Sequence, residues 1–141
     1  MKRFAAVAVI IGIILIGIFG YKGVRSYLDL KKYQQQIKEI KVEDIDLKAV
    51  PDGIYIGKAD VLWIAAEVKV IVQDHKIEHI SLIKHVNERG TSAEIIPEKV
   101  VEAQSLQVDT VSGATNSSKV ILKAIENALK NSEAAQSLDA N

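Results

Sequence analysis

Hydrophobic and polar positions follow two different periods along this chain, and each change of period marks a segment. The first thirty residues carry no period at all. Lys2 and Arg3 are followed by an uncharged run from Phe4 to Gly20, seventeen residues long. As a helix rising about 1.5 Å per residue it spans roughly 26 Å, near the lower limit for a bilayer core of about 30 Å. Tyr21 and Lys22 extend the span by sitting at the headgroups. A cleaved signal peptide shares the charged start, but its apolar region is normally shorter and no small-x-small cleavage site follows here. Residues 1–21 are therefore read as a transmembrane anchor or uncleaved signal. Lys22, Arg25, Lys31 and Lys32 beyond the span offset Lys2 and Arg3 before it, so charge leaves the orientation open.

Residues 22–51 form a charged stalk. Leu30, Tyr33, Ile37 and Ile40 recur at spacings of three and four, which predicts a short amphipathic helix resting its apolar side on the domain that follows. Pro51-Asp52-Gly53 marks a turn and the start of the folded unit. The period then becomes two. Val68, Val70 and Val72 share one face of a half-buried strand, with Glu67 and Lys69 on the other. "KIEHISLIKH" is its neighbour, and Asp74-His75 occupies the two-residue turn of the hairpin, where His tolerates positive φ better than most residues. "GIYIGKADVLWI" supplies an earlier strand that holds Tyr55 and Trp63.

Beyond Gly90 the spacing is helical. Thr91 and Glu94 stand in capping-box register, and Pro97 suits the first turn of a helix reaching about Gln104. "LQVDTV" predicts a brief strand. A last helix begins near Thr115 and aligns Ser118, Ile121, Leu122, Ile125, Ala128 and Leu129 in one stripe, while residues 131–141 read as a disordered tail. The order predicts an α+β domain over 52–130: a small antiparallel sheet with helices packed on it.

Composition removes several functions. With 18 basic and 18 acidic residues there is no excess positive charge for a nucleic-acid backbone. The absence of Cys excludes disulfides, thiolate metal sites and a Cys nucleophile. His75, His79 and His85 lack the close paired spacing of a metal motif, so no metal is expected.

The stretch "DTVSGATNSSK", residues 109–119, holds the candidate chemistry. Thr115 at a helix start can be a plain cap, with Ser112 or Asp109 serving the preceding turn and Gly113 supplying a permissive backbone angle. The hydrolase elbow G-x-S-x-G, the S-x-x-K pair and the phosphate loop are all unmet. A helix N-terminus does offer N–H groups and partial positive charge to a phosphate, and small Gly113 and Ala114 would let a bulky phosphate carrier approach the Thr115 hydroxyl.

"DTVSGAT" resembles the flavinylation motif D-x-x-[ST]-G-A-[ST] of the FMN-binding domain family, with Asp109, Ser112, Gly113, Ala114 and Thr115 in register. "DGIYIGKA", "VKVIVQDHKIEHISLIKH", "IIPEKVVEAQSLQVD" and "SSKVILKAIENAL" are similar to that family in the same order, covering about residues 52–130. The resemblance implies that Thr115 accepts FMN through a phosphoester, transferred from FAD by a separate magnesium-dependent flavin transferase. Asp109 and Ser112 would position the loop for that enzyme, and His85 would make a polar contact to the ring, the alternative being a strand-end His facing water. It further implies a membrane-anchored electron carrier, more carrier than enzyme, on the extracytoplasmic side, exchanging electrons with donor and acceptor proteins that the sequence does not name. Two alternatives stay open: a domain binding FMN without a covalent bond, and a tethered sensory or interaction domain with no cofactor.

Overall fold

The structure, a computed structural model, describes residues 2–87 and 89–139. The chain divides into two compact units, Met1–Gln35 and Gln36–Asn141. Helix α1, Lys2–Glu39, is continuous where the sequence predicts an anchor and a separate stalk helix. The two prolines of the chain stand at 51 and 97, so nothing within the first fifty residues removes a helical N–H. Within α1 the stretch Ile10–Glu39 is long and apolar enough to cross a membrane.

The second unit starts earlier than the composition shift at Pro51 indicates. Ile37 and Val50 are buried, and the Gln36 side chain accepts a hydrogen bond from Leu62 N at 3.1 Å. Asp44 takes the Leu106 N–H at 2.9 Å and the Ser105 hydroxyl at 2.8 Å. Burial pushes the Asp44 carboxyl up, but these bonds and the Ile45 N–H outweigh it and hold the group below its usual range. Much of the stalk predicted from charge is thus a strap bound onto the domain.

Three antiparallel strands, β1 (Gly53–Val61), β2 (Ile64–Gln73) and β3 (Lys76–Val86), follow in the order β1-β2-β3. The alternation forecast for β2 holds: Ile64, Ala66, Val68, Val70 and Val72 are buried and the intervening side chains are half-buried. The β2–β3 turn is Asp74-His75, at φ 52° and 58°, the paired positive angles of a tight hairpin. Its strain is offset by Asp52, which accepts the His75 N–H at 3.2 Å, and by Val50 O, which accepts from His75 Nδ1 at 3.1 Å. The N–H groups of Asp74 and His75 hold the Asp52 carboxyl below its usual range. β3 is irregular in two places, leaving Glu78 and Ile83 without Cα partners on β2.

Trp63 departs from expectation. β1 ends at Val61 and Leu62-Trp63 form the two-residue link to β2, so the indole lies at a hairpin tip, 38% exposed, rather than within a strand. "LQVDTV" is not a strand either. Its N–H groups are claimed by side chains: Leu106 by Asp44, Gln107 by Ser105, Val111 by Ser118. The outer edge of β3 that it would have joined is occupied by the Gln104 amide, which accepts the Ile77 N–H at 2.9 Å and donates to Ile77 O at 2.8 Å. Gln104 reaches it because its own φ of 51° ends α2, Ile96–Ala103.

Ahead of α2 a 3-10 helix spans Thr91–Ile95, with Gly90 at its N-cap and no side-chain cap bond. The Thr91–Glu94 capping box is therefore absent; Glu94 turns to His85 instead. Helix α3, Thr115–Asp139, covers β1 and β2 with the predicted stripe and continues through residues read as a frayed tail, burying Ser132 on the way. It lies so close to β1 that a Cβ on Gly57 would stand 2.0 Å from Ala124 O. Asn127 and Asn131 of α3 donate to Lys58 O and Ile56 O, at 2.8 and 3.1 Å, so the free edge of β1 is also blocked by amides. Glu126, fully buried, receives Lys123 at 2.8 Å and Lys130 at 2.6 Å, and Lys130 also reaches Glu43 of the strap at 3.0 Å.

Candidate functional site

The loop before α3 is built by one tight turn and one serine. Val111 O accepts the Ala114 N–H at 3.0 Å, and Gly113 occupies the third turn position at φ +78°, an angle that disfavours any side chain. Nothing lies within 4 Å of the space a Cβ would take there, so backbone conformation rather than crowding calls for glycine. Ser118, entirely buried one turn into α3, accepts the Val111 N–H at 3.0 Å and donates to Ala114 O at 2.9 Å. The carbonyl of Ala114 also accepts Ser118 N at 2.9 Å, the first bond of the helix.

Ala114 thus holds the cap position and Thr115 is the first helical residue. This corrects the reading of Thr115 as a plain cap: its side chain is exposed and enters no hydrogen bond among the described residues. Ser112 and Gly113 are exposed beside it, whereas Ala114 is buried at 4% exposure and anchors the loop. A helix start leaves N–H groups without intrahelical acceptors and carries partial positive charge, and the Thr115 hydroxyl emerges at that end.

The remaining candidates are placed around this turn. Asp109 is exposed, its carbonyl 3.5 Å from Lys99 Nζ, and with Lys99, Glu102, Ala103, Gln107 and Val108 it lines an open groove of about 460 Å³. Of the motif residues only Asp109 reaches that groove. His85 arrives from the end of β3 and is not a water-facing strand end: its side chain is 2% exposed. Nδ1 lies 3.0 Å from Glu94 Oε1 and 3.1 Å from Asn87 Nδ2, while Nε2 is buried with no hydrogen-bond partner among the described residues. Asn87 Oδ1 accepts the Gly90 N–H at 2.7 Å, and Gly90 abuts Ser117 in the first turn of α3 so closely that a Cβ would meet its hydroxyl at 1.9 Å. A chain of contacts therefore connects His85 to the helix start.

Sequence reasoning did not find Asn87, Gly90, Glu94 and Ser117 as members of this cluster, nor Ser118 as the clamp of the loop. The visible signal was Ser118, a polar residue inside an otherwise apolar stripe, with a carbonyl four residues earlier to bond. Among the described residues no group of three or more His, Asp or Glu side chains is arranged to hold a metal ion.

No functionally characterised protein in a curated set shows significant similarity to the chain. The crystal structure of the CPE2226 protein from Clostridium perfringens superposes with a TM-score of 0.50 at 23% identity, covering 62% of this chain and 92% of that one, a likeness of fold. The family model of the FMN-binding domain matches residues 62–130, from the β1–β2 hairpin tip through the loop and well into α3. Residues 62–130 therefore carry the sequence of an FMN-binding domain.

Proposed function

We propose that this protein is a membrane-anchored electron carrier holding FMN covalently through a phosphoester on Thr115. The observation that carries the reading is the state of that hydroxyl: exposed at the first position of α3, unbonded, and inside "DTVSGAT" of an FMN-binding domain. A threonine serving only as a cap would have its oxygen on an N–H of the first turn.

The residues fit the group. The helix start receives a phosphate without needing Lys or Arg, Gly113 leaves open space beside it, and the buried, unpartnered Nε2 of His85 is a polar atom that a bound ligand would satisfy. An unactivated threonine is a poor nucleophile, so the base belongs to a separate flavin transferase. The Thr115 oxygen attacks the FMN-side phosphorus of FAD, the pyrophosphate bond breaks, AMP leaves, and the hydroxyl proton passes to that enzyme. Exposed Ser112 and Asp109 lie where the transferase would grip the loop. FMN supplies one- and two-electron transfer; the protein sets access and potential. The apolar length of α1 supports anchoring, and covalent tethering suits an extracytoplasmic domain, where released FMN would be lost by dilution.

Coexpression of the full chain with a flavin transferase tests this. The denatured protein is expected to stay yellow and to gain the mass of one FMN less one water. Thr115→Ala should abolish the adduct while changing stability by less than about 0.5 kcal/mol, since no hydrogen bond is lost. An unmodified mass for the native chain would refute the proposal, and release of the flavin on denaturation would establish the non-covalent alternative in its place.

A further inference from the structure

The first turn of α3 holds no acidic residue, although a helix start carries partial positive charge and favours Asp or Glu. Its one buried polar anchor, Ser118, is spent on Val111 N and Ala114 O. The next residue is a cation, Lys119, close to the helix end at which a basic side chain is least favoured.

Lys119 also differs from the other two lysines of α3. Lys123 is committed to Glu126 at 2.8 Å and to Lys41 O at 3.1 Å, and Lys130 to Glu126 and Glu43 at 2.6 and 3.0 Å. Lys119 is half-buried and has no hydrogen-bond or ion-pair partner among the described residues. A lysine can bury its stem as a spacer and keep its head in water, so burial alone assigns it no role. Its place does. Lys119 follows Thr115 by four positions, which puts both on one helix face with Cβ atoms about 6 Å apart. Helical side chains lean toward the N-terminus and cover the turn before their own Cα, so a lysine here reaches back over the Thr115 hydroxyl. The approach is open: Thr115 is exposed, and nothing lies within 4 Å of the space beside Gly113.

We infer that Lys119 is the counter-ion of a phosphodiester formed on Thr115. The inference rests on the covalent flavin reading given above and adds to it the side chain that holds the phosphate. Once esterified, the phosphate keeps one negative charge, received by the N–H groups of the helix start from below and by the ammonium from the side. Lys119 binds the phosphate and takes no proton in the transfer.

Reversing the charge tests this by a change of rank. Without FMN, the full chain in detergent should melt within about 3 °C of native in Lys119→Gln, and Lys119→Glu should melt no lower than Lys119→Gln, because an acid suits a helix start. After maturation with a flavin transferase the order should invert, with native and Lys119→Arg highest, Lys119→Gln lower and Lys119→Glu lowest, roughly 4–8 °C below native. Should Lys119→Glu take no flavin, loading decides in its place: the fraction flavinylated in a fixed time should fall several-fold in Lys119→Gln and recover in Lys119→Arg. The same melting order with and without FMN, or a loading defect that Lys119→Arg does not repair, overturns the counter-ion and leaves covalent attachment standing. An unmodified native chain overturns both.

Discussion

Ser118→Ala is the sharpest probe of how the fold presents Thr115. The hydroxyl makes two bonds, accepting Val111 N at 3.0 Å and donating to Ala114 O at 2.9 Å, from a side chain with no exposure. The losses differ. Ala114 O keeps its bond from Ser118 N, so only about 0.5 kcal/mol is forfeited there. Val111 N–H keeps no other partner in a half-buried setting and costs about 1–2 kcal/mol, below the upper end for a fully dry group. The better helix propensity of Ala offsets about 0.5 kcal/mol of this. The net is roughly 1–2 kcal/mol, or a Tm lower by roughly 5–10 °C for a unit of this size. Because the bonds lost belong to the turn, the damage is expected to be local. Amide exchange at Val111 and Ala114 should quicken more than in β2, and the fraction of chain flavinylated in a fixed time should fall. A Tm within about 1 °C of the native value, with Val111 still protected, would refute the clamp.

Other consequences follow from the same contacts. Gly57→Ala places a methyl 2.0 Å from Ala124 O and 2.4 Å from Ala128 N, both backbone atoms that no rotamer change can move, so α3 must shift. A loss of about 3 kcal/mol by chemical denaturation is expected, the upper end for overpacking, and a loss under about 1 kcal/mol would show that the approach is not tight. Burial pushes the Glu126 carboxyl up, but hydrogen bonds from Lys123 and Lys130 outweigh it and set it below its reference value of 4.5. A carboxyl lower in the folded state contributes stability that is complete above pH 4.5 and is lost as pH falls through the folded value. Melts from pH 7 to pH 3 should therefore show Tm falling at the acid end for the native chain and less steeply for Glu126→Gln. At neutral pH that variant should be about 1–3 kcal/mol less stable, less than for a fully buried pair, because Lys123 and Lys130 are partly exposed and can turn to water. Lys130, raised by Glu126 and then by Glu43, acts in the opposite sense: its share is complete below its reference value of 10.5 and fades as pH rises beyond it.

The periodic elements were legible in the chain because their cause is local. Alternating valines can bury one face only as a strand, a stripe at three and four only as a helix, and Asp74-His75 between two such strands only as a tight turn. "DTVSGAT" was legible for the same reason, since a positive φ at Gly113 and a helix start two residues later are properties of neighbours. What failed was decided by partners far away in sequence. "LQVDTV" alternates like a strand, but Asp44, more than sixty residues earlier, takes its first N–H and Gln104 has already closed the β3 edge. Glu94 left its capping box for His85, nine residues back, because a buried imidazole offers a carboxylate more than a solvated helix start does. Trp63 reads as core by type and lies at a tip by register. Pattern settles which residues extend, coil or turn; which of the competing donors and acceptors pair is settled only when the elements meet, and that pairing frees Thr115 while it buries His85.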